Sequence, residues 1–362
     1  MNQENILSAE QKLLLQAAMQ QGEAAIASWQ AWKTVVNLDD IDSASYQLLP
    51  LVYRNLAGLY FQDNLMPKLK GIYRLRWCKN QLIFQSLIEL LPVLQKAGIE
   101  FILLKDTALL FQAYQDLGKR TINTLAILVR PETVPETSNI LLQLGWNATE
   151  IIFPKNLHCR TLSQFNKKSS IPLELHWYLT GTKVDEIFIN TTSIFLQDIS
   201  APVLTANEQL TQLCLQETPL DIVSSIIWLA DILMLLNLCP EFDWREIIVK
   251  AQKSGLVTQL KEKQPLLSEI LDLKVSILTE IQSLQLSQLE LLECQIQSFK
   301  REAAWEIFIT RYAQYLRLAY NKGENFSLVG FVKHLQLLWE LEHLWQVPVK
   351  AVSWITKKLF FT

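Results

Sequence analysis

The sequence predicts an α+β fold, mostly helical, in which one small mixed sheet lies between two helical regions. Three observations carry this expectation. Glycine (10) and proline (12) are scarce in 362 residues, near half of their average share of about 12%, which suits long helices and short connections. Hydrophobic residues make up 50% and charged residues 19%, enough for a large core and far from the composition of a disordered chain. Only the stretch 97–180 interrupts the helical pattern with short apolar runs of strand length. The expected organisation is a helical region over 1–96, an α/β core over 97–180 and a second helical region over 181–362.

Each element has a local reason. Ser8 with Gln11 has capping-box spacing before LLLQAAM and starts the first helix. Helical spacing continues to about Lys96, with Pro92 expected to bend or break the last helix. Gly98 then precedes the apolar run Ile99–Leu104, closed by Lys105 and Asp106. Thr107–Tyr114 returns to helix spacing, Leu125–Val129 is a second continuous apolar run, and Glu132–Leu144 reads as a helix ending at Gly145. Pro172–Tyr178 alternates, with Leu173, Leu175 and Trp177 on one face and Glu174, His176 and Tyr178 on the other. Beyond Leu204 the pattern is helical, with Thr205 or Asn207 as a cap, Pro219 opening a helix to Leu238, Phe242-Asp243-Trp244 starting another, and two more over Ala303–Tyr320 and Phe331–Trp345. No fixed-period repeat is present, which argues against a solenoid.

Composition also narrows function. A formal net charge of −3 argues against a protein that grips double-stranded nucleic acid. Five cysteines, Cys78, Cys159, Cys214, Cys239 and Cys294, are widely spaced without a CxxC pair, and read as reduced, buried thiols in a cytoplasmic protein. The start MNQENILSAEQ has neither a basic stretch nor an apolar core, so no signal peptide is expected. The most apolar window, Ile226–Cys239, carries Asp231 and Asn237 and reads as a buried helix. The tryptophans read as core. Leu344–Phe361 mixes aromatic and aliphatic residues with Lys350, Lys357 and Lys358. Its two readings are a terminal helix packed on the helical half and an interfacial helix touching a membrane surface.

The run Leu103–Glu132, LLKDTALLFQAYQDLGKRTINTLAILVRPE, resembles the signature stretch of a family of uncharacterised bacterial nucleotidyltransferases, within the polymerase-beta-like superfamily. Lys105, Tyr114, Asp116, Gly118 and Arg120 fall where that pattern wants them, Glu174-Leu175-His176-Trp177 supplies its later strand, and Trp228–Ile232 with Phe242–Trp244 resembles its helical C-terminal half. The resemblance implies a nucleotidyltransferase-like core and, in intact relatives, Mg²⁺-dependent nucleotide transfer.

Three departures set this chain apart. Where the family has two aspartates heading the second strand, this sequence has Thr124 and Ala126, and where the family has glycine after the lysine, it has Asp106. Two-metal catalysis needs carboxylates around both ions. Threonine offers one neutral oxygen and alanine none, and Asp106 sets a negative charge beside the place of a triphosphate. The expectation is a catalytically degenerate protein without cofactor that binds a protein, peptide or nucleotide-like partner. Its candidate ligand-binding residues are Lys105, Asp106, Thr107, Arg120, Thr124, Glu174 and His176. Either Lys105 and Arg120 hold an anion in a residual pocket, or Asp106 pairs with one of them and locks the site. The alternative is an active enzyme, with Mg²⁺ and a nucleoside triphosphate, whose rearranged metal site uses Glu174 with Asp106 or Asp116. His158, Cys159 and His176 match no metal-ligand spacing.

Overall fold

The computed structural model describes residues 7–149, 161–168, 171–179, 184–216, 222–270, 275–298, 306–322, 326–339 and 341–360. Four helices come first: α1 (Ala9–Met19), α2 (Gly22–Val35), α3 (Ser43–Gly58) and α4 (Met66–Lys96). The Ser8–Gln11 capping box closes both ways at the start of α1, and Asp42 caps α3 through the backbone N–H groups of Ala44 and Ser45. The 31-residue α4 runs past Pro92 to Lys96 without a break. Its buried positions include Leu69, Arg76, Asn80, Ile83, Leu87 and Leu94, a stripe at three-, four- and seven-residue spacing that faces the core.

The core is one mixed sheet of seven strands. After β1 (Phe101–Leu103) come α5 (Lys105–Leu109), a π-helical turn over Leu110–Tyr114 and β2 (Leu125–Val129). Next are α6 (Val134–Gln143), β3 (Asn147–Ala148), β4 (Leu162–Asn166), β5 (Leu173–His176) and α7 (Val184–Ile189). A hairpin of β6 (Thr191–Leu196) and β7 (Ile199–Leu204) completes the sheet, in the order β3-β4-β5-β2-β1-β7-β6. The expected core ended at residue 180. The sheet extends past it to Leu204, because β7 pairs in parallel with β1 and makes the hairpin part of the same sheet.

β2 sits at the centre, antiparallel to β1 and parallel to β5. Its five residues are all buried, as expected for a strand covered on both faces. Leu125, Ile127 and Val129 point into the main core with Phe101, Leu103 and Leu173. Ala126 and Leu128 point the other way, into an apolar cluster with Ile102, Leu104, Leu179, Ile187 and Leu204. The short helix α7 thus covers the second face through Ile187.

The remaining helices are α8 (Ala206–Leu215), α9 (Ile222–Leu236), α10 (Trp244–Ser254), α11 (Val257–Ile270), α12 (Val275–Ser283), α13 (Gln288–Ser298), α14 (Glu306–Lys322), α15 (Leu328–Leu338) and α16 (Gln346–Phe360). Thr205, not Asn207, caps α8, and Asp243 caps α10. Helix α15 stops at Leu338, short of the expected Trp345. Pro219 lies outside the described residues. No described helix is long and apolar enough to cross a membrane.

Two expectations about single residues need correction. Cys214 is buried and Cys239 half-buried, but Cys78 and Cys294 lie on solvent faces of α4 and α13. Trp29, Trp32, Trp146, Trp177, Trp228 and Trp244 are core residues, whereas Trp77 and Trp345 are exposed.

Candidate functional site

The register of β2 and β5 places Ala126 directly beside Glu174. Thr124 precedes Ala126 by two residues and so shares its side of the strand. This is where the missing acids and the remaining one would converge. Glu174 instead meets Lys105 Nζ at 2.6 Å and His176 Nε2 at 3.0 Å. The hydrogen bond from His176, reinforced by Lys105 against the cost of burial, holds the Glu174 carboxyl down at about 2. Burial depresses the His176 pKa, so the ring is neutral at neutral pH and its Nε2–H donates to the carboxylate.

Lys105 reaches Glu174 from an unusual backbone. It enters α5 with φ +52°, the left-handed region that costs a side-chain-bearing residue about 1–2 kcal/mol. One residue on, Asp106 turns to the opposite partner. Its Oδ1 accepts from Arg120 Nη1 at 2.8 Å, and its Oδ2 accepts from the Asn123 backbone N–H at 2.9 Å.

Arg120 is the hub. Its Nε and Nη2 donate to Asp231 Oδ1 and Oδ2 at 2.7 and 2.8 Å, a two-pronged pair between the core and α9. Tyr114 donates its hydroxyl to Asp231 Oδ1 at 2.7 Å. Burial alone would lower the Arg120 pKa, but Asp106 and Asp231 outweigh it and keep the guanidinium charged. Burial, with Asp231 alongside, pushes the Tyr114 hydroxyl well above its ordinary range.

The loop carrying Arg120 is built onto α4. Asn80 Nδ2 donates to the carbonyls of Leu117 and Arg120 at 2.6 and 2.7 Å. Asp116 accepts from the Tyr73 hydroxyl at 2.7 Å, from Gly118 N–H at 2.9 Å and from Arg54 Nε at 2.8 Å. A Cβ at Gly118 would lie 2.1 Å from the Tyr73 ring, so the glycine is required by close approach. Tyr114, Asp116, Gly118 and Arg120 therefore hold the loop and helices together.

A cavity of about 360 Å³ opens beside this network, within the range of small-molecule sites. Lys105, Asp106, Arg120 and Asp231 line its charged side, Gln209 and Gln212 of α8 its amide side, and Leu179 and Trp228 belong to its apolar wall. The charges are mutually paired, leaving the wall close to neutral. Of the expected site residues, Lys105, Asp106 and Arg120 line this cavity. Glu174 and His176 join it only through Lys105, and Thr124, which directly precedes β2, is not among its lining residues. Thr107 is fully buried on α5, and its hydroxyl has no partner among the described residues.

The donor set does not fit the two Mg²⁺ ions of nucleotidyl transfer. Ala126 has no oxygen, Glu174 already accepts from a lysine and an imidazole, Asp106 is bound to Arg120, and Asp116 faces α4 and Arg54. No group of three or more metal-ligating side chains converges among the described residues. His158 and Cys159 lie outside those residues. Reading the sequence missed Asp231 and Asn80 as site partners. The signal for Asp231 was a lone acid in the most apolar window of the chain, which a buried helix tolerates only when paired.

A core sheet with β2 at its centre, a lysine at the mouth of α5 and a glutamate on β5 defines a nucleotidyltransferase-like architecture. The family model described as uncharacterised nucleotidyltransferase matches residues 43–269, and the chain belongs to that family. No curated protein matches it.

Proposed function

We propose that this chain is a catalytically degenerate member of its family, acting as a binding or accessory module for a protein, peptide or nucleotide-like partner. One observation carries the reading. Ala126, which stands at an acid position of the family pattern, is 1% exposed and packed in an apolar cluster under Leu179 and Ile187, while its neighbour Glu174 is held by Lys105 and His176. An Mg²⁺ ion there would have to displace a lysine from a carboxylate and still lack its other anionic ligands. A triphosphate would meet Asp106, whose charge Arg120 already balances. What remains is a cavity with a neutralised polar side and an apolar wall, suited to binding.

The test is calorimetry and radiolabel transfer with each of the four Mg²⁺–nucleoside triphosphates. The unmodified chain is compared with a Thr124→Asp/Ala126→Asp/Asp106→Gly variant. The reading expects no Mg²⁺-dependent binding and no transfer by the unmodified chain. Micromolar Mg²⁺-dependent binding with label on any acceptor would overturn it.

A further inference from the structure

We propose that the start of α16 docks on an anionic membrane surface, lying on it and not crossing it. Two observations point there. The first is an apolar face turned outward. Val347 is buried and Ala351, one turn on, is half-buried, so the inward side of the helix is defined. Val349 and Val352 are 61% and 60% exposed, and Trp345 at the N-terminal border of the helix is 65% exposed. A helix that only packed on its neighbour would turn polar residues to water at these positions. Here valines face out, and a tryptophan marks the edge, as in helices that sit at the boundary of headgroups and acyl chains.

The second observation is charge, and it selects the occupant. From Leu344 to Thr362 the sequence contains Lys350, Lys357 and Lys358 and no acidic residue, in a chain of net charge −3. Apolar area and local positive charge are the two contributions that together hold an amphipathic helix on anionic lipid. With no described helix long and apolar enough to span, the bound state is interfacial.

Flotation of the full chain with phosphatidylcholine vesicles, with and without phosphatidylglycerol, tests the proposal. The anionic vesicles should bind the chain about thirtyfold more tightly than neutral ones, the effect of two lysines, Lys350 and Lys357, near such a surface. Added salt should weaken the binding. Val349→Asp/Val352→Asp should abolish it with the thermal midpoint unchanged, since both positions are exposed. Lys350→Glu/Lys357→Glu should remove the preference for anionic lipid without touching Val349 or Val352. Absence of binding to either vesicle overturns the proposal, as does equal binding to both. A concentration-dependent dimer in sedimentation that the valine variant disrupts would assign the face to a second copy, and also overturns it.

Discussion

Arg120 and Asp231 meet as a two-pronged ion pair across 111 residues of chain, tying the loop before β2 to the middle of α9. Both side chains are under 10% exposed. A pair so deeply buried is costly to create but far costlier to halve, because one partner alone leaves an unbalanced charge in the interior. The motif residue that resembles a catalytic signature is therefore chiefly a joint between the sheet and the helical half.

Asp231→Ala should destabilise the chain by about 3–5 kcal/mol. Arg120 would keep Asp106 but lose its bidentate partner, and the Tyr114 hydroxyl would lose its acceptor. Chemical denaturation reads the effect. An Arg120→Met/Asp231→Leu variant should recover part of the loss, and a double variant as unstable as the sum of the singles would contradict the joint.

Gly118→Ala should cost about 1–3 kcal/mol through overpacking against the Tyr73 ring. In a Tyr73→Ala background the same change should cost clearly less, since the ring that a Cβ would strike is gone. Denaturation midpoints of the four proteins measure the coupling. Equal costs in both backgrounds would place the requirement for glycine elsewhere.

Lys105→Gly and Lys105→Ala both remove the ion pair to Glu174, but only glycine relaxes the backbone at φ +52°. The glycine variant should be the more stable of the two by about 1 kcal/mol. Thermal melting in one buffer decides it.

Acid should loosen the β5 side of the site in two stages. His176 is depressed below its ordinary 6.5 by burial, so the unfolded chain takes up that proton first and stability falls as pH drops through 6.5. Glu174 is lowered from 4.5 to about 2, and its contribution, complete above 4.5, is lost as pH falls between those values. The Glu174 part is at most about 3 kcal/mol, and less because Lys105 is one-third exposed. Glu174→Gln should flatten the lower stage in a pH series of denaturation midpoints and leave the loss near 6.5 in place.

The central strands were legible because burial writes itself into their residues. Leu125–Val129 is continuously apolar, and Pro172–Tyr178 alternates because only one face of β5 meets the main core. The hairpin Thr191–Leu204 was not. Its edge strand exposes Phe195, and its tight turn uses Gln197 at φ 55° with Asp198 in place of a glycine signal. Strand β3 is the opposite edge strand and only two residues long, and β4 beside it is half-exposed; both are equally quiet in the sequence. At the site, the loss of acids at Thr124 and Ala126 could be read from the sequence alone. Which cation Asp106 would choose could not, since Lys105 is adjacent in sequence but Arg120 is the one the loop folds back onto it.

The parallel register of Leu103 with Val203 has a consequence for how the protein is made. Strand β1 emerges from the ribosome about a hundred residues before the strand that covers one of its edges. Until Leu204 is out, that edge presents unpaired N–H and C=O groups beside an apolar strand, the kind of template on which chains stack. A fragment cut at residue 180 would carry the exposed edge permanently, so it should aggregate where the full chain stays dispersed.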